Sequence, residues 1–334
     1  MSEHVLSVKD LKTYFHTATG IAKAVDGVSF TLDAGKTMGI VGESGSGKSV
    51  TATSIMRLLP QNGKIMGGEI DFDGVDMMKL SKKQLVALRG NEIAMIFQDP
   101  MTSLDPVFKV GNQMVEMICA HQNVTKEAAR AMAIEALGRV GIPNPEKRMD
   151  AYPYELSGGM CQRVIIAMAL CCNAKVILAD EPTTALDVTV QAQVLHLLKE
   201  LQRTNDIGLM IITHNLGVVW DVCDRAMVMY AGKVVEAADV KSLYAKPMHP
   251  YTWGLLDSMP SLSSERKADL STIPGTPPDL RLTGKACNFA NRCPYAQDIC
   301  SKEVPELIEV EPGHLVACHR QTLDAHLERV KGGK

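Results

Sequence analysis

Residues 42–49 read Gly-Glu-Ser-Gly-Ser-Gly-Lys-Ser, which fits the spacing G-x-x-x-x-G-K-[ST]. Glycines let backbone N–H groups come close to an anion, and a helix start behind them adds the positive end of its dipole. The segment reads as a triphosphate cradle built from Gly42, Glu43, Ser44, Gly45, Ser46 and Gly47, with Val50 just beyond it. Lys48 would reach the β- and γ-phosphates, and the Ser49 hydroxyl would ligate Mg²⁺. A second group is Asp180-Glu181, which closes the apolar run 176–179. A carboxylate at the tip of a buried strand suits a magnesium ion held through water, and the glutamate beside it suits a general base that polarises an attacking water. A third is the stretch LSGGMCQR at 156–163. A fourth is the spacing of Cys287, Cys293, Cys300 and Cys318.

The elements around these groups are in the order the chemistry needs. Short alternating runs over residues 3–50, broken by Gly20, Gly27 and Gly35, predict an antiparallel β region that leads into a strand over 37–41. Residues 49–59 read as a helix that stops at Pro60. Strands are predicted at 69–72 and 93–97, around an Asp73-Gly74 turn. From about 110 to 169 the pattern is helical, with an amphipathic helix at 127–140 ended by Gly141 and Pro143. Strands return at 176–179 and 209–213 with a helix at 188–204 between them, and a meander follows at 226–230 and 233–236. Strand–helix–strand alternation predicts an α/β fold with a mostly parallel core sheet and an inserted helical subdomain at about 99–170. Near Pro260 the composition shifts to Pro, Ser, Thr and Gly, so residues 1–258 are expected to form one domain and 259–334 a linker and a small cysteine-bearing tail.

Bulk properties narrow the function classes. The chain has 334 residues, ample for a core, with 35 basic and 38 acidic side chains and a net charge of −3. That balance gives no electrostatic case for nucleic-acid binding. Its longest apolar run, 164–172, is too short to cross a bilayer, which takes about 20 residues. The N-terminal MSEHVLSVKD has no basic-then-apolar signal. A cytosolic chain is expected, with any membrane role exerted through partners. In a reducing compartment Cys119, Cys161, Cys171, Cys172 and Cys223 read as small buried hydrophobes. The four tail cysteines favour a metal over disulfides, although they lack the C-x₂-C knuckle of zinc ribbons.

The conjunction of the phosphate loop, LSGGMCQR and the strand ending in Asp-Glu resembles the nucleotide-binding subunit of ABC transporters, and the likeness covers nearly the whole chain. The resemblance implies an ABC-type P-loop ATPase that uses ATP and Mg²⁺, with Glu181 as catalytic base. It implies that Gln98 contacts Mg²⁺ and the attacking water and begins a loop that senses the membrane subunit. His214 would contact the γ-phosphate; Asn215 follows it where aspartate is more usual. Phe15 would stack on adenine, with the neighbouring Tyr14 one register step away. Ser157, Gly158 and Gly159 would cap the γ-phosphate held by a facing subunit, and Asp187 would touch that subunit. Cys161 stands where a long polar side chain is usual in the motif.

The tail narrows the resemblance. The cysteine spacings, with His249-Pro250-Tyr251-Thr252, Leu255-Leu256 and Pro260, resemble the oligopeptide/dipeptide importer branch. There the four cysteines hold a [4Fe–4S] cluster, and zinc stands as the alternative. The branch implies an ATP-hydrolysing subunit on the cytoplasmic face of the cell membrane that drives di- or oligopeptide uptake. Its implied partners are two transmembrane permease subunits, a second and distinct ATPase chain, and an extracytoplasmic binding protein. Relatives with the same motor carry nickel, glutathione or other small solutes, so the cargo stays open between these and peptides; the alternative outside transport, a soluble ABC ATPase, implies two cassettes in one chain or long heptad coiled coils, and the sequence has neither.

Overall fold

The computed structural model describes residues 4–184, 186–259 and 272–322. Residues 260–271, much of the expected linker, and 323–334, the end of the expected tail, lie outside the described residues. The fold is α/β with mixed sheets, and the chain weaves between two compact units instead of filling them in sequence. One contains residues 31–37 and 71–212 with the start of the chain; the other contains 7–30, 38–70 and everything described from 213 onward.

In the first unit the strands Ile93–Ile96, Val176–Asp180 and Gly208–Thr213 pair side by side in parallel. The last two are buried at every residue. Continuous apolar strands of this kind belong to a parallel sheet covered on both faces, which is why their sequences lack alternation. The expected helical insertion is present as the helices Val110–His121, Lys126–Arg139 and Gly158–Cys171, which pack on one another. Lys126–Arg139 shows why: Ala129, Ala133, Ala136 and Leu137 recur at helical spacing and are all buried. Thr125 starts it, its hydroxyl accepting from the Ala128 N–H.

In the second unit the strand Thr37–Val41 runs parallel to Arg225–Tyr230, which pairs antiparallel with Lys233–Asp239. The tail extends this sheet. His314–Val316 pairs antiparallel with Lys233–Asp239 through Glu236 and Val316, and Ile308–Glu311 pairs with His314–Val316 in turn. The sequence reading ended the sheet at the meander; the two tail strands instead cover its edge, where unpaired N–H and C=O groups would otherwise lie open. In a separate sheet of this unit the strands Gly20–Leu32, Leu6–Thr17 and Gly63–Phe72 lie side by side in that order.

Candidate functional site

The phosphate loop lies in the second unit, between the strand Thr37–Val41 and the helix Lys48–Ile55. Gly42, Gly45 and Gly47 have φ of 155°, 78° and 105°. At Gly42 an added Cβ would lie 2.2 Å from the Met229 carbonyl oxygen, and at Gly47 2.2 Å from that of Ala24, so only glycine fits either place. The Lys48 side chain is buried and folds back over the loop, its Nζ donating to the carbonyls of Gly42 (2.8 Å) and Glu43 (2.9 Å). The Ser46 hydroxyl is buried with no hydrogen-bond partner. An orphaned buried hydroxyl beside a caged ammonium and a left-handed glycine turn fits a polyphosphate, which would supply acceptors to both groups. Ser49 and Val50 follow in the first turn of the helix and are half-buried.

Asp180 ends the strand Val176–Asp180 and is buried. Glu181 follows with φ of 45°, a left-handed backbone that a glutamate adopts only when its surroundings hold it there. Its N–H donates to the Ile212 carbonyl (2.9 Å). Its carboxylate Oε2 accepts from Gln98 Nε2 (3.0 Å) and from the Thr184 hydroxyl (2.8 Å). Gln98 and Glu181, 83 positions apart, are thus brought together within the first unit; Thr184 is a partner the sequence reading missed. The two donors fix the carboxylate in direction.

Ser157, Asp187 and Asn215 prove to be helix caps. Ser157 begins Gly158–Cys171, its hydroxyl accepting from the Met160 N–H (3.3 Å). Asp187 begins Val188–Asn205, its carboxylate accepting from Thr189 and Val190 N–H. Asn215 begins Leu216–Val222, accepting from the Gly217 N–H (2.9 Å). Asparagine caps as well as aspartate does, which accounts for its place after the exposed His214. Tyr14 and Phe15 part company as neighbours on a strand do: the Tyr14 hydroxyl donates to Asp26 (2.7 Å), while Phe15 lies against Gly63. Cys161 is fully buried, its thiol donating to the Pro153 carbonyl (3.4 Å), so it packs where the motif usually carries a polar chain.

The expected metal centre in the tail is not supported. Cys287 and Cys300 approach through their backbones, the Cys287 N–H donating to the Cys300 carbonyl (2.9 Å). Among the described residues, however, no group of three or more His, Cys, Asp or Glu side chains is arranged to hold a metal ion. Burial holds the Cys287 thiol up to about 11 and the Cys293 thiol up to about 12, with the neighbouring tail cysteines adding to the shift. Of the scattered cysteines expected in the core, Cys161, Cys171 and Cys223 are buried, while Cys119 and Cys172 are half-buried; burial holds the Cys171 and Cys172 thiols up to about 11 and about 12.

Comparison with known proteins matches this geometry. A family model described as ABC transporter matches residues 25–184, and one described as oligopeptide/dipeptide transporter, C-terminal region, matches residues 235–300. The chain is 53% identical over 313 residues to the oligopeptide transport ATP-binding protein OppD of Bacillus subtilis, covering 93% of this chain and 87% of that one. It is 49% identical over 320 residues to the dipeptide transport ATP-binding protein DppD of the same organism, covering 96% and 95%. Among solved structures, a dimeric ATP-binding cassette in a post-hydrolysis state bound to ADP and phosphate superposes with a TM-score of 0.65 at 27% identity, covering 70% of this chain and 98% of that one. The chain therefore belongs to the ATP-binding proteins of ABC transporters, in the branch that carries the oligopeptide/dipeptide transporter C-terminal region.

Proposed function

We propose that the chain is the ATP-hydrolysing motor of an importer that takes di- and oligopeptides across the cytoplasmic membrane. The observation that carries the reading is that identity to peptide-transport ATP-binding proteins runs through the tail. Those relatives match 93–96% of this chain, whereas the solved cassette stops at 70%. In this reading residues 1–258 are the nucleotide-binding domain and 259–334 the linker and tail. No described helix is long and apolar enough to cross a membrane, so the motor acts through partners. These are two permease subunits, a second and distinct ATPase chain, and an extracytoplasmic binding protein, with this chain on the cytoplasmic face.

The loop amides of residues 42–49 and the Lys48 ammonium would take the phosphates of ATP, and Phe15 the adenine. Ser49, Gln98 and Asp180 would hold Mg²⁺, which when bound neutralises phosphate charge and fixes its orientation. Glu181, oriented by Gln98 and Thr184, would take the proton of the attacking water, and His214 would contact the γ-phosphate. Ser157, Gly158 and Gly159 stand at a helix start with amides to offer and would complete the site of a facing subunit, beside Asp187. Closure of the pair on ATP and reopening after phosphate release would drive the permeases. The tail cysteines take no part in these steps.

The test is reconstitution with the permeases and binding protein encoded beside it. ATP hydrolysis stimulated by peptide-loaded binding protein, with labelled peptide accumulating in the vesicles, is the expected result. Stimulation by a metal ion or another small solute and by no peptide would overturn the cargo.

A further inference from the structure

The phosphate loop is gripped from outside by the C-terminal tail. Arg292 ends the short turn Ala290–Arg292, and its side chain is 5% exposed. Its guanidinium meets the carboxylate of Glu43, the second residue of the loop, at two points: Nη1 donates to Oε2 (2.6 Å) and Nη2 to Oε1 (2.9 Å). The rest of the fork is also engaged. Nε donates to the Pro274 carbonyl (2.9 Å), Nη2 to that of Ile273 (3.2 Å), and Nη1 to the Tyr230 hydroxyl (3.3 Å). A planar fork held on every edge has one orientation, and it holds the carboxylate in one orientation too.

Glu43 is held through its backbone as well. Its N–H donates to the buried Tyr251 hydroxyl (2.8 Å), and its carbonyl accepts from Lys48 (2.9 Å). Tyr251 is fixed by Tyr230 and by Phe289 from the tail, with ring centroids 4.6 and 5.4 Å apart. A carboxylate in an anion-binding loop poses an electrostatic problem. Left free, its negative charge would oppose a polyphosphate a few ångströms away and compete for the loop's amides and its lysine. Arg292 removes that charge from the loop's field and turns the carboxylate toward the tail.

We propose that Arg292 is a positioning residue for nucleotide binding, neutralising and orienting Glu43 so that the tail sets the affinity of the phosphate loop for ATP. The inference rests on residues 42–49 being the ATP site. It gives the tail a role in the motor that needs no metal.

The test uses the full-length chain, titrated with a fluorescent ATP analogue and, assembled with its permeases, assayed for hydrolysis. Arg292→Gln leaves the Glu43 charge uncompensated and should weaken ATP binding about tenfold, a loss appearing in KM with kcat changed less than about twofold. Arg292→Lys, which keeps the charge without the fork, should fall between that variant and the parent. Adding Glu43→Gln to Arg292→Gln removes the repelling charge and should restore affinity to within about threefold of the parent. A merely structural clamp predicts the reverse, a double variant at least as weak as the single one. Glu43→Gln alone should bind ATP at least as tightly as the parent, and this reads the electrostatics even if Arg292→Gln does not fold. Normal affinity in folded Arg292→Gln, a double variant no better than the single, or weakened binding in Glu43→Gln would each overturn the proposal. Lys48→Ala separates the two levels. If it binds ATP normally, the loop is not the ATP site; if it loses ATP while Arg292→Gln keeps it, only the role of Arg292 fails.

Discussion

Replacing Gly47 by alanine puts a single carbon where the loop has no room for it. Gly47 caps the helix Lys48–Ile55 with φ of 105°, and the new Cβ would lie 2.2 Å from the Ala24 carbonyl oxygen and 3.3 Å from Met229 Cε. The left-handed backbone costs about 1–2 kcal/mol for an L-residue, and forcing a methyl against a backbone oxygen adds about 1–3 kcal/mol, or about 2–5 kcal/mol together. The chain relieves the clash by moving either the loop or the strand Gly20–Leu32, and both displace the loop amides proposed to meet phosphate. If only about 2 kcal/mol of this falls on binding, ATP affinity drops roughly 30-fold. Two neighbouring substitutions calibrate the argument. Gly45 has φ of 78° but nothing within 4 Å of an added Cβ, so Gly45→Ala carries backbone strain alone, about 1–2 kcal/mol. Gly158 has open space and a backbone outside the left-handed region, and alanine at a helix start is favourable. Gly158→Ala should leave stability and ATP binding of the isolated chain unchanged and show its defect only when two subunits pair. The assays are thermal unfolding and ATP-analogue titration of each variant. The expected order of damage in the isolated chain is Gly47, then Gly45, then Gly158. Parental stability and affinity in Gly47→Ala would refute the steric reasoning.

Two further outcomes follow from the buried groups around the strand Lys233–Asp239. His249 is buried and held down to about 4 by desolvation, with Glu236 opposing, while the unfolded chain protonates near pH 6.5. The unfolded state then binds the proton first, so stability is full above about pH 6.5 and is lost on acidification to about pH 4, by about 3 kcal/mol. Urea unfolding across that window should show the slope, and His249→Asn, which can still cap Pro250–Tyr251 at the helix start, should flatten it. Glu236, fully buried, accepts from the N–H groups of Met248 (2.6 Å) and His249 (3.0 Å) and pairs with His314 Nε2 (2.7 Å). Glu236→Ala strands those donors and should destabilise the chain by about 3–5 kcal/mol in equilibrium unfolding, with Glu236→Gln costing clearly less.

How far the site could be read in advance depended on whether its residues are close in sequence. The phosphate loop was legible because strand, glycine turn, lysine and helix lie in 19 consecutive positions, 37–55, each with its own local signal. The helix starts at Ser157, Asp187 and Asn215 were equally legible, since serine, aspartate or asparagine before a helical run is a cap. The tail strands had alternation in Ile308–Glu311 and a turn at Pro312-Gly313, a short signal that was overlooked beside the cysteines. The Glu43–Arg292 pair was not legible at all. It spans 249 positions, and no local pattern marks an arginine in a cysteine-rich tail as the partner of a loop glutamate. The cysteine spacing is the weaker guide for a related reason: ligand sets are defined by where side chains point, and spacing fixes only how far apart the backbone can be.

The central claim is that Glu181, held by Gln98 and Thr184, is the base of an ATPase that works as a pair. Glu181→Gln keeps the size of the side chain and a carbonyl oxygen that can accept from the same donors, but removes the ability to take a proton. Steady-state hydrolysis measured in the assembled transporter should fall about 10²–10⁴-fold, while ATP-dependent pairing of the subunits, read by size-exclusion chromatography, persists and outlasts that of the parent. Turnover at the parental rate in that assembly would contradict the account.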